Sequence, residues 1–160
     1  MTAITIRPAE AADAARLNAA LRHLSTGMGD THRTKDTDLS AAAFRDVPSC
    51  YAVLAEKDAA VVGVAVYSPL YSTTRGMAGA YVSDLWVDDV IRGQGLGALL
   101  LGAVRDRAKA QWDAGFLRLA VYADNPRAVA FYTRLGFSTS AGDIYMTLDG
   151  TALSAVGRER

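Results

Sequence analysis

The first third of the chain alternates between strand-like and helix-like patterns. Residues Ala3 to Arg7 alternate apolar and polar side chains, which predicts a strand that stops at Pro8. The alanine-rich stretch Ala11 to Leu24 predicts a helix, and the polar stretch Ser25 to Asp36 predicts a loop. A short helix is expected from about Thr37, as its N-cap, to Asp46.

The middle of the chain predicts strands. Tyr51 to Glu56 and Val61 to Tyr67 predict a hairpin, with residues 57–60 as its turn. Pro69 to Gly79 contains turn-forming residues and is expected to be a longer connection. Tyr81 to Val87 is again strongly strand-like, and a pair of aspartates ends it.

The clearest helix follows these strands. Its apolar residues recur at i, i+3, i+4, i+7 and i+8, and they are Leu96, Leu99, Leu100, Ala103 and Val104. Phe116 to Tyr122 predicts a strand and Pro126 to Leu135 a short helix. Residues 137–139 and 144–148 predict a closing strand pair, before a mobile tail from Gly150 to Arg160. The order predicts one mixed α/β domain over residues 1–149, with a tail over 150–160.

Composition narrows the classes of function. The chain has 160 residues, of which 51% are hydrophobic and 21% charged, as expected for a globular domain. Its 17 basic and 17 acidic residues cancel, so no net charge attracts nucleic acid or anionic lipid. No apolar run would span a bilayer, and neither Cys50 alone nor two histidines complete a zinc site. Without a signal-like leader after Met1, we expect a cytoplasmic protein. Because a Cys/His ligand set is lacking, we also expect that it binds no metal.

A glycine-rich loop is the strongest chemical signal. Arg92-Gly93-Gln94-Gly95-Leu96-Gly97 lies between a predicted strand and the amphipathic helix. Glycines let a ligand approach the backbone, and the N–H groups of the first helical turn attract an anion. The spacing G-x-G-x-G is not the dinucleotide fingerprint, and Ala98 stands where a P-loop needs Lys. The loop therefore favours another pyrophosphate carrier, although a turn without any ligand is the alternative.

A second segment points to a family. Asn125 to Phe137, with the sequence NPRAVAFYTRLGF, follows the strand that ends at Tyr122. With the glycine-rich loop and Val82 to Val87 before it, this order resembles the GNAT N-acetyltransferase superfamily. The resemblance implies a mixed, mostly antiparallel sheet of six or seven strands, with two central parallel strands splayed apart and about four helices. It also implies direct transfer of an acetyl group from acetyl-CoA to a primary amine in a ternary complex, and a homodimer.

The resemblance implies where acetyl-CoA binds. Leu85, Trp86 and Val87 correspond to the strand that pairs with pantetheine, and an N–H near Leu85 or Val87 would polarise the thioester carbonyl. The pyrophosphate would lie on the loop residues Arg92, Gly93, Gln94, Gly95, Leu96, Gly97 and Ala98. Asn125 would contact the CoA arm through its side chain, or it caps the following helix.

Two residues are candidates for proton transfer. Tyr132 stands where the family has its general acid, which protonates the leaving thiolate. The alternative is that Tyr132 belongs to an apolar helical stripe with Phe131 and Leu135. Asp84 is the one carboxylate of its strand and the candidate base, at the position where the family strand bulges. A carboxylate that only binds backbone donors there, or a water chain as the base, are the alternatives.

The acceptor stays open at this stage. The residues Tyr71 to Gly76, Gly79 to Tyr81 and Asp84 to Leu85 resemble the diamine (spermidine/spermine) N-acetyltransferase branch. That branch has two adjacent acids where this chain has Ser83 and Asp84. Loop acids could replace the missing one or be merely solvated: Asp30, Asp36 and Asp38. A protein amine as acceptor, a CoA-binding regulatory module without turnover and a purely structural domain are the other hypotheses. No covalent route through Cys50 is expected, because it lies away from these motifs.

Overall fold

The computed structural model describes residues 3–158. Its contacts gather into two compact units, one up to Tyr122 and one from Ala123 onward. The first unit contains β1 (Thr5–Pro8), a 3-10 turn (Ala11–Asp13), α1 (Ala14–Met28), α2 (Asp36–Ala43), β2 (Tyr51–Lys57), β3 (Ala60–Ser72), β4 (Met77–Val87), α3 (Leu96–Trp112) and β5 (Leu117–Leu119). The second unit contains α4 (Pro126–Arg134) and α5 (Gly150–Ala155). The predicted domain boundary at residue 149 stays a prediction.

One mixed sheet forms the first unit. Its strands follow the order β1-β2-β3-β4-β5, with antiparallel neighbours except for the parallel pair β4 and β5. This confirms the predicted mixed, mostly antiparallel α/β architecture. It also places the two parallel strands next to each other, as the resemblance implies.

Helices cover both faces of this sheet. α1 and α2 pack on one face over a cluster that includes Leu17, Leu54 and Val64. α3 packs on the other face, where a Cβ atom on Gly63 would stand only 2.9 Å from Cδ1 of Leu100. Glycine on β3 therefore lets α3 approach the sheet at the site of the glycine-rich loop. The buried residues of α3 are Leu96, Gly97, Leu100, Leu101, Val104 and Ala108.

Several sequence predictions were wrong in detail. Leu99 is 60% exposed, because Leu101 rather than Leu99 turns towards the sheet. Residues 137–148 form no strand, so within residues 3–158 the sheet has five strands and β5 is its edge rather than central. The apolar side chains of this segment, such as Ile144 and Met146, are exposed and gain no burial that would hold a strand. The predicted strand from Phe116 to Tyr122 shortens to three residues.

Helix limits differ from the sequence prediction as well. α1 runs to Met28, four residues past Leu24, because Gly29 at φ 76° supplies the left-handed residue that ends it. α2 begins at Asp36 and ends at Ala43. The predicted mobile tail contains the short helix α5 over Gly150–Ala155.

The expected connection from Pro69 to Gly79 is part of a long hairpin. Pro69 pairs with Ala80 across β3 and β4. The Ala80 N–H donates to Phe116 O on the other side of β4, so Pro69 and Ala80 form a pair without backbone hydrogen bonds between them. Its ring nitrogen faces the opposite edge of β3, beyond the last pair with β2 at Tyr67. Proline is tolerated there because no donor is needed.

The β2–β3 turn offers a test of stored strain. Asp58 and Ala59 have φ values of 50° and 63°, in a two-residue turn that favours glycine. Ala59→Gly is expected to stabilise the protein by about 0.5–1 kcal/mol, because the left-handed conformation costs an alanine about 1–2 kcal/mol. Urea unfolding measures this gain. The neighbouring Ala60→Gly, in β3, is the control and should destabilise instead; a loss of stability in Ala59→Gly contradicts the strain argument.

Candidate active site

A β-bulge shapes the middle of β4. Val66 pairs with Asp84 and Tyr67 pairs with Val82, so Ser83 is an extra residue on β4. The Ser83 hydroxyl has one proton, which it can donate to Asp84 Oδ2 at 2.8 Å or to Val66 O at 3.3 Å. Asp84 thus lies at a bulge, where the Ser83 hydroxyl contacts its carboxylate, and its role as the base stays a prediction.

The bulge changes which backbone groups face the β5 side of β4. Before it, Ala80 donates its N–H to Phe116 O at 2.9 Å on that side. After it, Asp88 donates to Val62 O at 2.9 Å on the β3 side. Because donors alternate along a strand, the N–H groups of Leu85 and Val87 point to the β5 side. The parallel ladder with β5 ends at Val82, so these two donors lie beyond its last pair.

The glycine-rich loop follows this strand and runs into the first turn of α3, and together they span residues 92–98. Gly93 and Gly95 have φ values of 80° and 83°, which L side chains rarely adopt. A Cβ atom on either would have no other protein atom within 4 Å, so the space above the loop is open. The first helical bond runs from Leu99 N–H to Gly95 O, which leaves the N–H groups of Leu96, Gly97 and Ala98 without a partner inside the helix. These donors and the helix dipole favour an anion, and the glycines leave room for it.

Arg92 is anchored beside this loop. Its Nε donates to Val87 O at 3.1 Å, and its guanidinium lies 2.6 Å from a carboxylate oxygen of Asp89. The side chain is half exposed. Arg92 thus keeps N–H groups for a phosphate while Asp89 holds it near the end of β4.

A cavity of about 540 Å³ opens beside the bulge, and we call it the Asp84 cavity. Burial raises the pKa of the Asp84 carboxyl above its usual range, while the Ser83 hydroxyl and the charge of His32 act in the opposite direction. A carboxylate with a raised pKa is a better proton acceptor. The cavity is lined by Leu21, Ser25, Thr31, His32, Arg33, Thr34, Asp38, Leu39, Ala42, Cys50, Val66, Ser83 and Asp84.

Cys50 lies elsewhere than the sequence suggested. It lines the Asp84 cavity, rather than standing away from the motifs. Burial raises the pKa of its thiol, and the charge of Asp84 raises it further. Both effects disfavour the thiolate, which is the nucleophilic form.

The three loop acids have structural partners. Asp30 accepts a hydrogen bond from the Tyr122 hydroxyl at 2.8 Å, and Asp36 accepts one from the Asn18 amide at 2.7 Å. Asp38 accepts from the Lys35 N–H at 3.0 Å and caps α2. All three carboxylates are exposed but hydrogen-bonded, and Asp38 lines the Asp84 cavity, so their replacement of the acid missing at Ser83 stays a prediction.

The second unit holds the other two predicted residues. Asn125 Oδ1 accepts from Ala128 N–H at 3.1 Å, so Asn125 does cap α4, and its contact with CoA stays a prediction. The Tyr132 ring packs edge-on against Phe131 at 5.0 Å and Phe137 at 5.5 Å between centroids. Burial raises the pKa of its phenol, so Tyr132 stays protonated at neutral pH. Its role as general acid also stays a prediction.

The sequence interpretation missed one polar cluster of the first unit. Asn18 is 1% exposed and hydrogen-bonds His32, which in turn contacts Ser25. The available signal was an asparagine among the buried α1 residues Ala14, Leu17 and Leu21. A polar side chain within an apolar helical stripe indicates a buried partner.

Metal-ligand clusters and membrane-spanning helices are both absent from residues 3–158. In that range no group of three or more His, Cys, Asp and Glu side chains is placed to hold a metal ion. No helix in the same range combines the length and the apolar character that crossing a membrane requires.

Comparisons with known proteins agree with this geometry. A sequence profile of the acetyltransferase (GNAT) family matches residues 17–137. Thialysine N-epsilon-acetyltransferase of Bos taurus is 30% identical over 148 residues, which cover 85% of each chain. An integron cassette protein of V. cholerae has a TM-score of 0.80 at 21% identity, over 99% of this chain and 100% of its own. An aminoglycoside N-acetyltransferase in complex with CoA has a TM-score of 0.75 at 16% identity, over 92% and 95%.

The matched region covers most of the chain. It contains the bulged strand β4, the glycine-rich loop and α4. The resemblance drawn from the sequence is confirmed, and so is its implication of an enzyme that transfers acetyl groups. The chain belongs to the acetyltransferase (GNAT) family.

Proposed function

We propose that this protein transfers an acetyl group from acetyl-CoA to a primary amine of a small molecule, by direct attack in a ternary complex. The observation that carries the proposal is the arrangement around β4. Its Leu85 and Val87 donors lie beyond the last β5 pair, and the open glycine-rich loop follows them directly. Acetyl-CoA supplies an activated acetyl carbonyl and a thiolate leaving group.

The chain's own residues would hold the two ends of this co-substrate. The N–H groups of Leu96, Gly97 and Ala98, with Arg92 beside them, suit a pyrophosphate. The backbone of Leu85, Trp86 and Val87 suits the amide groups of pantetheine, which pair as a strand would. An N–H from Leu85 or Val87 would also stabilise negative charge on the carbonyl oxygen during attack.

Two proton transfers complete the reaction. An alkyl ammonium must lose a proton before its nitrogen can attack, and Asp84 would accept that proton at the wall of the cavity. Tyr132 would protonate the leaving thiolate, which has a pKa near 8.5 like that of cysteine. The raised pKa of Tyr132 keeps its proton in place until then.

The acceptor would lie in the Asp84 cavity. Its volume of about 540 Å³ suits a small molecule, and its carboxylates suit an amine. The similar bovine protein is named for the ε-amine of thialysine, and a similar solved structure is named for aminoglycosides. Both names are those of small amines, which supports this class of acceptor over a protein amine. The homodimer and the cytoplasmic location expected from the sequence stay predictions.

A thiol-release assay tests the proposal. Purified protein and acetyl-CoA are incubated with amines, amino acids, polyamines and peptides, and free CoA is measured with a thiol reagent. We expect release that depends on a small primary amine. Release with peptides alone would show that the acceptor is a protein amine rather than a small molecule. No release with any acceptor would contradict the proposal.

A further inference from the structure

A buried hydrogen-bond network determines the protonation of one histidine nitrogen. Asn18 Nδ2 donates to Thr34 O at 3.1 Å and to Asp36 Oδ1 at 2.7 Å. A carbonyl and a carboxylate only accept hydrogen bonds, so these contacts fix which amide atom is the nitrogen. Asn18 Oδ1 must then face Nε2 of His32, at 2.8 Å. Since Oδ1 only accepts, Nε2 carries a proton, and the variable site of the ring is Nδ1.

Nδ1 contacts a hydroxyl that has two hydrogen-bond partners. It lies 3.0 Å from Ser25 Oγ, which lies 3.1 Å from Leu21 O. With a neutral ring, Ser25 donates its proton to Nδ1. With a protonated ring, Nδ1 donates to Ser25 Oγ, and the hydroxyl turns to Leu21 O. The ring gains or loses a proton while each nitrogen keeps its hydrogen bond.

This pair borders the space that holds Asp84. Ser25, His32 and Asp84 all line the Asp84 cavity. The charge of His32 lowers the pKa of the Asp84 carboxyl, so the two groups interact across this space. Three other charged groups lie near the ring. Asp36 on α2 contacts Asn18, which contacts the ring, and Asp38 lines the cavity from α2. Arg33 also lines the cavity, and its charge repels a positive ring. Cys50 is the other titratable group of the wall, held in its neutral form by its raised pKa.

We propose that Ser25 and His32 form a proton relay that takes the acceptor's proton onward from Asp84, an inference that rests on the proposed function. The ammonium N–H bond breaks, its electron pair stays on nitrogen, and an O–H bond forms on Asp84. That O–H bond then breaks, directly or through a cavity water, as a new O–H bond forms on Ser25 Oγ. The previous Ser25 proton bonds to Nδ1 of His32. Asp84 is again a carboxylate, Ser25 a hydroxyl and His32 an imidazolium, which returns its proton to solvent.

The test is a pH–rate profile of kcat/KM for two single variants. The acceptor is the amine that gives the fastest thiol release with wild type, over about pH 6 to 9. Ser25→Ala breaks the path, and His32→Gln keeps a donor for Asn18 but removes the basic nitrogen. We expect both to lose about tenfold at the acid end and to approach wild type at the alkaline end, where a larger fraction of the amine is already neutral.

Matched controls separate the relay from simple packing. His23→Gln removes the chain's other histidine, which stacks on Trp86 at 5.7 Å. Ser154→Ala removes a hydroxyl that bonds the carbonyl four residues earlier, Gly150 O, as Ser25 bonds Leu21 O. Both should keep the wild-type profile. Asp84→Asn combined with His32→Gln should lose no more at the acid end than Asp84→Asn alone, because steps in series are not additive.

Three outcomes overturn the relay and leave the proposed function standing. A wild-type profile in both Ser25→Ala and His32→Gln shows that no proton passes through them. A loss equal at every pH, accompanied by a lower melting temperature, shows that they only hold the cavity wall. Additive losses in the double variant place His32 outside the path from Asp84. Wild type that releases no thiol with any amine overturns the proposed function itself, and the relay with it.

Discussion

Acetyl-CoA is expected to raise the melting temperature of the wild-type protein, and Gly95→Leu is expected to abolish that rise. A ligand at 100 times its Kd stabilises the native state by about 2.7 kcal/mol. For a chain of this size that corresponds to roughly 5–10 °C. Gly95 has a φ of 83° at the N-cap of α3, where the proposal places the phosphates. A leucine there strains the loop and fills the open space above it, so the phosphates lose their place.

Gly76→Leu is the matched control for this experiment. Gly76 also has a positive φ, 65°, and open space around its missing Cβ, but it lies in the β3–β4 turn. Without ligand, both variants should have a lower melting temperature than wild type, because the left-handed conformation costs each leucine about 1–2 kcal/mol. Only Gly76→Leu should keep the acetyl-CoA shift. A full shift in Gly95→Leu would show that the loop does not hold the phosphates, and no shift in wild type with any acyl-CoA would reject the cofactor.

The glycine-rich loop shows what the sequence predicts well. Strand, glycine spacing and helix are all local in sequence, and the helix from Leu96 has its stripe within one element. The loop therefore formed where it was expected, with positive φ at Gly93 and Gly95. Only the exposed Leu99 was placed on the wrong side, because the buried stripe is rotated by about one residue and still shares Leu96, Leu100 and Val104 with the predicted one.

The direction of the Leu85 and Val87 N–H groups was predictable only in part. It depends on the extra residue Ser83, which shifts the alternation along β4 by one position. A bulge is defined by its partner strand, and Ser83 and Asp84 alone do not encode the register with Val66 and Tyr67. The family resemblance predicted the bulge. Only the pairing of β3 with β4 shows that it turns the Leu85 and Val87 N–H groups towards β5.

The polar cluster around His32 was not predictable from local pattern. Its contacts join residues that are 7, 14 and 18 positions apart, across α1, a loop and α2. Hydrophobic periodicity reports one element at a time and does not say which loop returns to which helix. The strand predicted at residues 144–148 failed for the opposite reason. Its alternation was real, but residues 144–148 form no strand and their large apolar side chains, such as Ile144 and Met146, are exposed.

Tyr132→Phe is expected to lower kcat by about 10²-fold or more while leaving acetyl-CoA binding nearly unchanged. The substitution removes one hydroxyl and keeps the ring that packs against Phe131 and Phe137. The fold should therefore survive, and the acetyl-CoA thermal shift should equal that of wild type. Tyr145→Phe, which removes a hydroxyl from a 71% exposed side chain, is the matched control and should keep full activity.

The pH dependence of these two proteins distinguishes proton donation from simple packing. Burial raises the pKa of the Tyr132 phenol above its ordinary value, so an acid role predicts activity that falls only as this phenol ionises at alkaline pH. Tyr132→Phe should lack this alkaline decline, while the acid end of its profile still follows deprotonation of the amine. If the variant is instead as fast as wild type, Tyr132 is not the donor. Water would then protonate the thiolate, and the site would act through positioning and the Leu85 and Val87 donors.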